Sequence, residues 1–341
     1  MLGVGVVGSG FMGRTWARVA AERTPGARLA AVTGGRRAAG LAADFGVPEH
    51  PDLAAMLTDP EVGLVVLTTP PAGHAEQAIA AAAAGRHLLV EKPMANSVAE
   101  CRAMVQACSV ADVRLAVVSQ HRFRAAPLAA RGLVDDGAVG RITMVRAIGP
   151  EVGFWDTEKT QDQWKLDPTQ QTTYASWGAH ACDLIRWFVG DEPDLAFAMF
   201  EQYGDGPPPL RSAMASYHFR QGAMAQVWMS YDIPPPGLGS GLQLQLIGTD
   251  GIIELDSYGE VRLGTARGWS TAFSQPPFNS LDPADPVRLG AYAAELSDLI
   301  AAIDRSAPPQ VDGREGLATT MMLEAAEISA RTRQAVTLPL A

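Results

Sequence analysis

The chain reads as an α/β protein in two parts: a doubly wound parallel sheet at the N-terminal end, then an α+β domain with a large, mostly antiparallel open sheet. Three observations predict this. Over roughly the first third, short near-continuous apolar runs alternate with helix-forming segments, the texture of strands buried on both faces of a parallel sheet. From about Ile142 the texture changes to polar and apolar residues in alternation, which marks antiparallel strands with one covered face. The 341 residues also exceed the roughly 250–300 at which a single core stops growing. The expected boundaries are 1–120 for the first domain, 121–286 for the second and 287–341 for C-terminal helices that pack back across the domains.

The first strand, Leu2 to Val7, feeds Gly8-Ser9-Gly10-Phe11-Met12-Gly13, and the next residues place Trp16, Ala17, Ala20 and Ala21 at helical spacing. Gly-x-Gly-x-x-Gly between a strand and a helix is a dinucleotide-binding, Rossmann-type fingerprint. Gly8 permits the tight turn, Gly10 lets the backbone approach a pyrophosphate, and Gly13 lets the helix lie against the strand. Phe11, Met12 and Gly13 then present the N–H groups of a helix N-terminus to the anion.

Arg28 to Thr33 forms the second strand, closed by Gly34-Gly35. About 20 residues beyond the glycines, a site for NAD carries an acid that accepts from the ribose 2′-hydroxyl. No acid occurs between Arg28 and Leu41; Thr33, Gly34, Arg36 and Arg37 supply a hydroxyl, open backbone and two guanidiniums suited to a 2′-phosphate. NADP(H) is therefore favoured over NAD(H). The plainer reading makes Arg36 and Arg37 solvated residues that open the next helix.

The alternation continues with helix Ala38 to Phe45, strand Gly63 to Leu67, helix Ala75 to Ala84 ended by Gly85, strand His87 to Val90, helix Val98 to Val110 and strand Arg114 to Val118. In such sheets ligands bind outside the carboxyl ends of the strands. Thr69, Pro70 and His74 follow the third strand, and Glu91-Lys92-Pro93 follows the fourth. Lys92 stands at the crevice between a buried strand and a proline, where desolvation and a cationic nicotinamide would tune it. His74 fits equally a cofactor contact and a residue packing on the turn.

In the second domain, strands are expected within Arg211–Arg220, Met224–Tyr231, Leu242–Ile247, Ile252–Leu255 and Val261–Leu263, with terminal helices over Arg288–Asp304 and Arg314–Arg333. Ser176, His180, Asp183 and Trp187 recur at helical spacing and share a face if the segment is a helix. His180 can aim at the crevice with Asp183 holding its other nitrogen, or can be a core histidine satisfied by a local carboxylate. Trp164, Lys165 and Asp167 offer an aromatic face, a cation and an acid suited to a polyhydroxylated ligand, or a hydrophobic anchor with solvated charges.

A net charge of −10 and a pI near 5.1 argue against nucleic acid and anionic membrane as partners. Cys101, Cys108 and Cys182 have no metal-ligand spacing and leave an odd thiol, so no metal is expected and the compartment is read as a reducing cytoplasm. With no leader pattern and no long apolar run, the protein is expected to be soluble and unexported.

Taken together, the glycine turn, Thr69-Pro70 with His74, Ala84-Gly85-Arg86-His87 running into Glu91-Lys92-Pro93, Trp164 to Pro168, Gly178-x-His180-x-x-Asp183 and Gly248-Thr249-Asp250-Gly251 resemble the Gfo/Idh/MocA oxidoreductases, related to glucose–fructose oxidoreductase and inositol dehydrogenase. The resemblance spans nearly the whole chain. It implies that Lys92 is catalytic, that His180 is the proton acceptor, and that Arg122, Trp164, Lys165 and Asp167 line the substrate pocket with Lys92, Ser176, His180 and Asp183. Many members carry an aspartate where Ser176 stands, and a serine cannot anchor Lys92 or a substrate hydroxyl with a charge-assisted bond. The expected activity is NAD(P)-dependent hydride transfer between nicotinamide and a secondary alcohol or ketone of a sugar, cyclic polyol or related compound. The alternatives are nicotinamide-assisted glycoside cleavage or elimination, and a non-catalytic NAD(P)-sensing protein. A homodimer or homotetramer through the C-terminal sheet is expected, since too little helix follows that sheet to cover both faces.

Overall fold

A computed structural model describes residues 1–152, 164, 167–170, 172, 174–203, 212–234, 236–238 and 241–340, with 150–152, 176 and 232 described by their backbone alone. The chain divides into two compact units, 1–123 with 278–318, and 124–277 with 319–341.

The first unit holds strands β1 (Leu2–Val7), β2 (Ala27–Thr33), β3 (Glu49–His50), β4 (Leu64–Leu67), β5 (His87–Val90) and β6 (Leu115–Val117), and helices α1 (Phe11–Arg18), α2 (Ala38–Phe45), α3 (Leu53–Leu57), α4 (His74–Ala83) and α5 (Val98–Val110). The strands are parallel in the order β3-β2-β1-β4-β5-β6. The order reverses between β1 and β4, which opens a crevice beyond their carboxyl ends. Val4, Val6, Leu64 to Leu67 and Leu88 to Val90 are without exposure, as strands covered on both faces require. Local chemistry sets the helix ends. Ser97 caps α5, its hydroxyl accepting from the Glu100 N–H, while the Glu100 carboxylate accepts from the Ser97 hydroxyl and the Asn96 N–H. Gly46, at φ 64°, ends α2 in a left-handed conformation that a glycine adopts at little cost.

In the second unit lie α6 (Ala125–Asp135), β7 (Ile142–Val152), α7 (Ala175–Val189), β8 (Pro193–Glu201), β9 (Ser212–Phe219), β10 (Met224–Ile233), β11 (Gln243–Gly248), β12 (Ile252–Asp256), β13 (Glu260–Thr265) and β14 (Gly268–Ser274). Helix α8 (Pro286–Asp304) belongs to the first unit, α9 (Gly313–Thr332) begins in the first and ends in the second, and β15 (Val336–Thr337) closes the sheet. That sheet has nine strands in the order β14-β13-β12-β11-β7-β10-β9-β8-β15, parallel only between β7 and β10.

One face of this sheet is core. Val145, Ala147, Ala213, Ala215, Val227, Leu244 and Leu246 point inward against α7 and the second half of α9, where Leu184, Phe188, Met322 and Ala326 are buried. Helix α7 comes close to β7 because Gly149 has no side chain: a Cβ there would lie 3.2 Å from the Trp177 Cβ. The opposite face is open and carries an apolar row beside a more polar one. Pairing places Ile247, Met144, Met224, His218 and Leu195 in one row across five strands, and Gln245, Arg146, Gln226, Ser216 and Phe197 in the next. These residues line a groove of about 450 Å³, with Met144, Met224 and Leu195 each more than 40% exposed.

Candidate active site

The crevice of the first unit begins at the glycine turn. Gly8 has φ 108°, and a Cβ on it would lie 2.5 Å from the Thr68 hydroxyl. A Cβ on Gly13 would lie 2.0 Å from the Gly8 carbonyl oxygen, so only a glycine lets α1 pack this closely on the turn. Gly10 is the N-cap of α1 and supplies no side-chain cap, and no acid stands in the first turn. The opening N–H groups are thus left to an incoming anion, and these features fit a dinucleotide pyrophosphate.

The loop after β2 is tied to this turn, for the Arg37 N–H donates to the Ser9 hydroxyl at 3.1 Å and the Gly8 N–H to the Thr33 carbonyl oxygen at 2.8 Å. A Cβ built on Gly10 would find the Arg37 guanidinium 3.7 Å away. Gly34 and Gly35 both take φ 80°, and Arg36 and Arg37 are exposed. Thr33 departs from expectation. It is 1% exposed, and its hydroxyl donates to the His50 carbonyl oxygen at 2.8 Å, because pairing of β2 with β3 sets the two residues side by side. The hydroxyl read as a phosphate ligand is spent inside the sheet.

The ends of β4 and β5 are joined through His74, which has no exposure. Its Nε2 faces the Thr69 carbonyl oxygen at 2.8 Å, and its Nδ1 faces those of Pro93 and Met94, each at 3.2 Å. The Thr69 hydroxyl donates to Gln77 Oε1 at 2.7 Å. His74 therefore braces the turn that carries Lys92, and the packing reading of this residue accounts for its contacts. Lys92 is half-buried and its bond to Pro93 is cis. Glu91 is buried; Trp16 donates to it through Nε1 at 2.9 Å, and the Lys92 N–H donates to its other oxygen at 3.2 Å.

Arg122, expected at the substrate, is buried and forms an ion pair with Glu315 of α9 at 2.7 Å, so at least one arm of its fork is committed within the first unit. Nearby, the Glu295 carboxylate accepts the Ser119 N–H. Trp16, read in the sequence only for its helical spacing, holds Glu91, and Glu295 and Glu315, which sequence reasoning did not single out, lie more than 170 positions from the groups they hold.

In the second unit, α7 is a helix as its spacing predicts, stopped by Gly190 at φ 67°. His180 and Asp183 are both buried, and the His180 ring packs edge-on against Trp177 with centroids 5.8 Å apart. Gly178 admits the ring of Tyr174, which a Cβ would approach to 3.0 Å. Trp164 is half-buried. The Asp167 carboxylate accepts from the N–H and hydroxyl of Thr169 at 2.8 and 2.7 Å, bonds that hold it below the ordinary carboxylate range. Lys165 and the Ser176 side chain lie outside the described residues. Among the described residues no group of three or more His, Cys, Asp or Glu could hold a metal ion, and no helix is long and apolar enough to cross a membrane.

A doubly wound sheet with an uncapped glycine turn at its switch point, joined in sequence to an open-sheet domain, has the make-up of a dinucleotide-binding protein. Residues 2–119 match the model of an oxidoreductase family with an NAD-binding Rossmann fold, and residues 128–254 match the GFO/IDH/MocA C-terminal domain. The chain belongs to the Gfo/Idh/MocA oxidoreductase family. It is 27% identical over 327 residues to a 1,5-anhydro-D-fructose reductase of Ensifer adhaerens, covering 92% of this chain and 91% of that protein. An inositol 2-dehydrogenase of Saccharopolyspora erythraea is 31% identical over 223 residues, 64% of this chain and 60% of that one. A solved levoglucosan dehydrogenase, in complex with NADH and levoglucosan, shares the fold with a TM-score of 0.84 at 23% identity, over 99% of this chain and 100% of that one.

Proposed function

We propose that this enzyme moves a hydride between a secondary alcohol or ketone of a sugar, cyclic polyol or related compound and NADP(H), in preference to NAD(H). The observation that carries the reading is Lys92, seated at the carboxyl end of β5 directly after a buried acid and braced from the other side by His74. Relatives named for anhydrofructose, inositol and levoglucosan support the substrate class.

The N–H groups of Phe11, Met12 and Gly13 would hold the pyrophosphate, with Gly8 and Gly10 leaving room for it. Gly34, Arg36 and Arg37 would receive the adenosine ribose; the Arg37 guanidinium beside Gly10 and the lack of any acid from Arg28 to Leu41 favour a 2′-phosphate there. Thr69 and Pro70 after β4 and Glu91 after β5 would border the nicotinamide end of the nucleotide, which when bound supplies or takes the hydride.

Oxidation requires the substrate hydroxyl to lose its proton as the hydride leaves. In this reading Lys92 stabilises the negative charge developing on that oxygen and His180 accepts the proton, its ring held by Trp177 and set by Asp183. In reduction the two reverse their parts. Trp164, Lys165, Asp167 and Ser176 would meet the remaining hydroxyls, and Arg122 would act on the pocket through its pairing with Glu315.

The protein functions as a homodimer or homotetramer in which a second copy covers the open sheet face along the row of Ile247, Met144, Met224 and Leu195, and it resides in the cytoplasm, where its three buried cysteines stay as free thiols. The catalytic assignment is tested by substituting Lys92 and His180 singly by alanine. Each should lower turnover on a demonstrated sugar or polyol by on the order of 10²–10⁴ with little change in nucleotide affinity. Wild-type turnover in Lys92→Ala would sink it.

A further inference from the structure

Glu91 is 7% exposed, and its carboxylate has two different donors, one on each oxygen. Oε1 accepts the indole Nε1–H of Trp16 at 2.9 Å; Oε2 accepts the backbone N–H of Lys92 at 3.2 Å. Trp16 is itself without exposure and packs edge-on against Tyr292 of α8, centroids 5.2 Å apart at 86°. The Arg288 guanidinium, 2% exposed, lies between Tyr292 and Phe11, 5.0 and 4.6 Å from their ring centroids, and donates to the Thr15 hydroxyl at 2.9 Å. An unbroken series of contacts thus runs from the glycine turn, through Arg288, Tyr292, Trp16 and Glu91, to the main chain of Lys92.

We propose that Glu91 and Trp16 are positioning residues for Lys92: the pair locks the Lys92 main chain to α1, the same helix whose N-terminus takes the pyrophosphate. The inference rests on the reading of Lys92 as the group that meets the substrate. The amine and the nucleotide are then placed on one frame, and their relative position no longer depends on a surface loop. Only a carboxylate suits this post, because both groups that converge on it donate. Burial pushes the Glu91 carboxyl up from its ordinary range, and the Trp16 N–H, the Lys92 ammonium and Arg288 work against that push.

A glutamine at 91 has one acceptor oxygen for two donors, and its NH₂ must confront one of them. If Trp16 is also replaced by phenylalanine, the NH₂ can turn toward the ring and the oxygen toward Lys92. Glu91→Gln should therefore damage the turn, and Trp16→Phe should repair part of that damage. In nucleotide-free protein, hydrogen exchange followed by mass spectrometry over residues 91–95 should show the Lys92 amide exchanging on the order of 10-fold faster in Glu91→Gln, and slower again in the double variant. With a demonstrated substrate, kcat should fall by about 10- to 100-fold in Glu91→Gln, with substrate KM within about two-fold of wild type, and should partly recover in the double variant. A packing role alone would make the double variant worse than either single one.

Unchanged exchange at Lys92 in Glu91→Gln, or a double variant with no recovery, overturns the proposal. Should Glu91→Gln not fold, Trp16→Phe alone carries the test, since it removes one donor while keeping an aromatic ring against Tyr292; wild-type exchange and kcat in that variant count against the pair. Faster exchange with wild-type turnover in both Glu91→Gln and Lys92→Ala would instead overturn the catalytic assignment of Lys92.

Discussion

His74 Nε2 lies 2.8 Å from the carbonyl oxygen of Thr69, a contact that fastens α4 to the end of β4 while the other ring nitrogen faces the main chain of Pro93 and Met94. Carbonyl oxygens only accept, and a neutral imidazole has one N–H. That N–H serves Thr69 from Nε2 or the Pro93 and Met94 carbonyls from Nδ1, according to the tautomer. Burial lowers the His74 pKa from 6.5, against the opposing pull of the carbonyls of Thr69, Met94 and Pro93. The sign of the pH effect follows: below about pH 6.5 the unfolded ring binds a proton that the folded ring resists, so the unfolded state takes up more protons and stability drops on acidification. Urea midpoints measured at about pH 7.5 and about pH 5.5 should differ more in wild type than in His74→Ala. That variant should also lose about 1–3 kcal/mol at the higher pH, because it strands buried carbonyls. An equal drop in both proteins would show that His74 is not the group that titrates.

Cofactor choice should reside in Arg36 and Arg37. Replacing both by alanine should weaken NADP(H) binding by about 10- to 100-fold, the worth of one or two charge-assisted hydrogen bonds, with NAD(H) binding nearly unchanged. Titration by nucleotide fluorescence decides it, and equal losses for the two nucleotides would place the guanidiniums on the pyrophosphate instead.

Self-association should depend on the open sheet face. Met144 and Met224 are cross-strand neighbours there, 46% and 51% exposed. Aspartate at both positions would bring two like charges together in the middle of the apolar row, so light scattering should show the assembly dissociating at micromolar concentration while the circular dichroism spectrum stays that of the folded chain. A monomer in wild type would refute the assignment outright.

The cysteines should be silent in the native state. All three are buried; burial pushes the Cys108 thiol up to about 11 and the Cys182 thiol to about 12. A disulfide-exchange reagent at about pH 8 should modify none until denaturant is added, because the thiolate is the nucleophile. Both folded pKa values lie above the unfolded value of 9.0, so the unfolded state sheds protons first and stability should fall as pH rises from 9 toward 11. Fast labelling of a native thiol would mean that its shell opens readily.

Features set by neighbours in the chain were legible in the sequence. Gly8, Gly10 and Gly13 could be read because a turn, a pyrophosphate approach and a tight helix contact each forbid a side chain within a few residues. The α7 segment could be read because its buried positions recur at helical spacing. Strand β8 was missed for a physical reason: Leu195, Phe197 and Met199 line the open face while Ala196 and Ala198 face the core, so both sides are apolar and the alternation that betrays a strand disappears. Thr33 misled because its strand partner β3 is two residues long and has little signal of its own. The partners of Arg122 and Ser119 come from helices far along the chain, and no local pattern links Glu315 or Glu295 to them.

The division of the first unit between residues 1–123 and 278–318 also imposes an order in time. Leu289, Tyr292, Leu296 and Leu299 of α8 sit in one core with Val4, Val6, Trp16 and Leu64. A ribosome adding about 5–20 residues each second releases the parallel sheet first, then spends on the order of ten seconds on the second unit before α8 emerges to close that core. Through that interval one side of the nascent sheet, Trp16 included, stays unsealed, and a chaperone that binds apolar surface has its opportunity there. A fragment ending at residue 123 would keep every glycine of the turn yet lack Tyr292 and Arg288, so the fingerprint alone does not make a free-standing nucleotide-binding module.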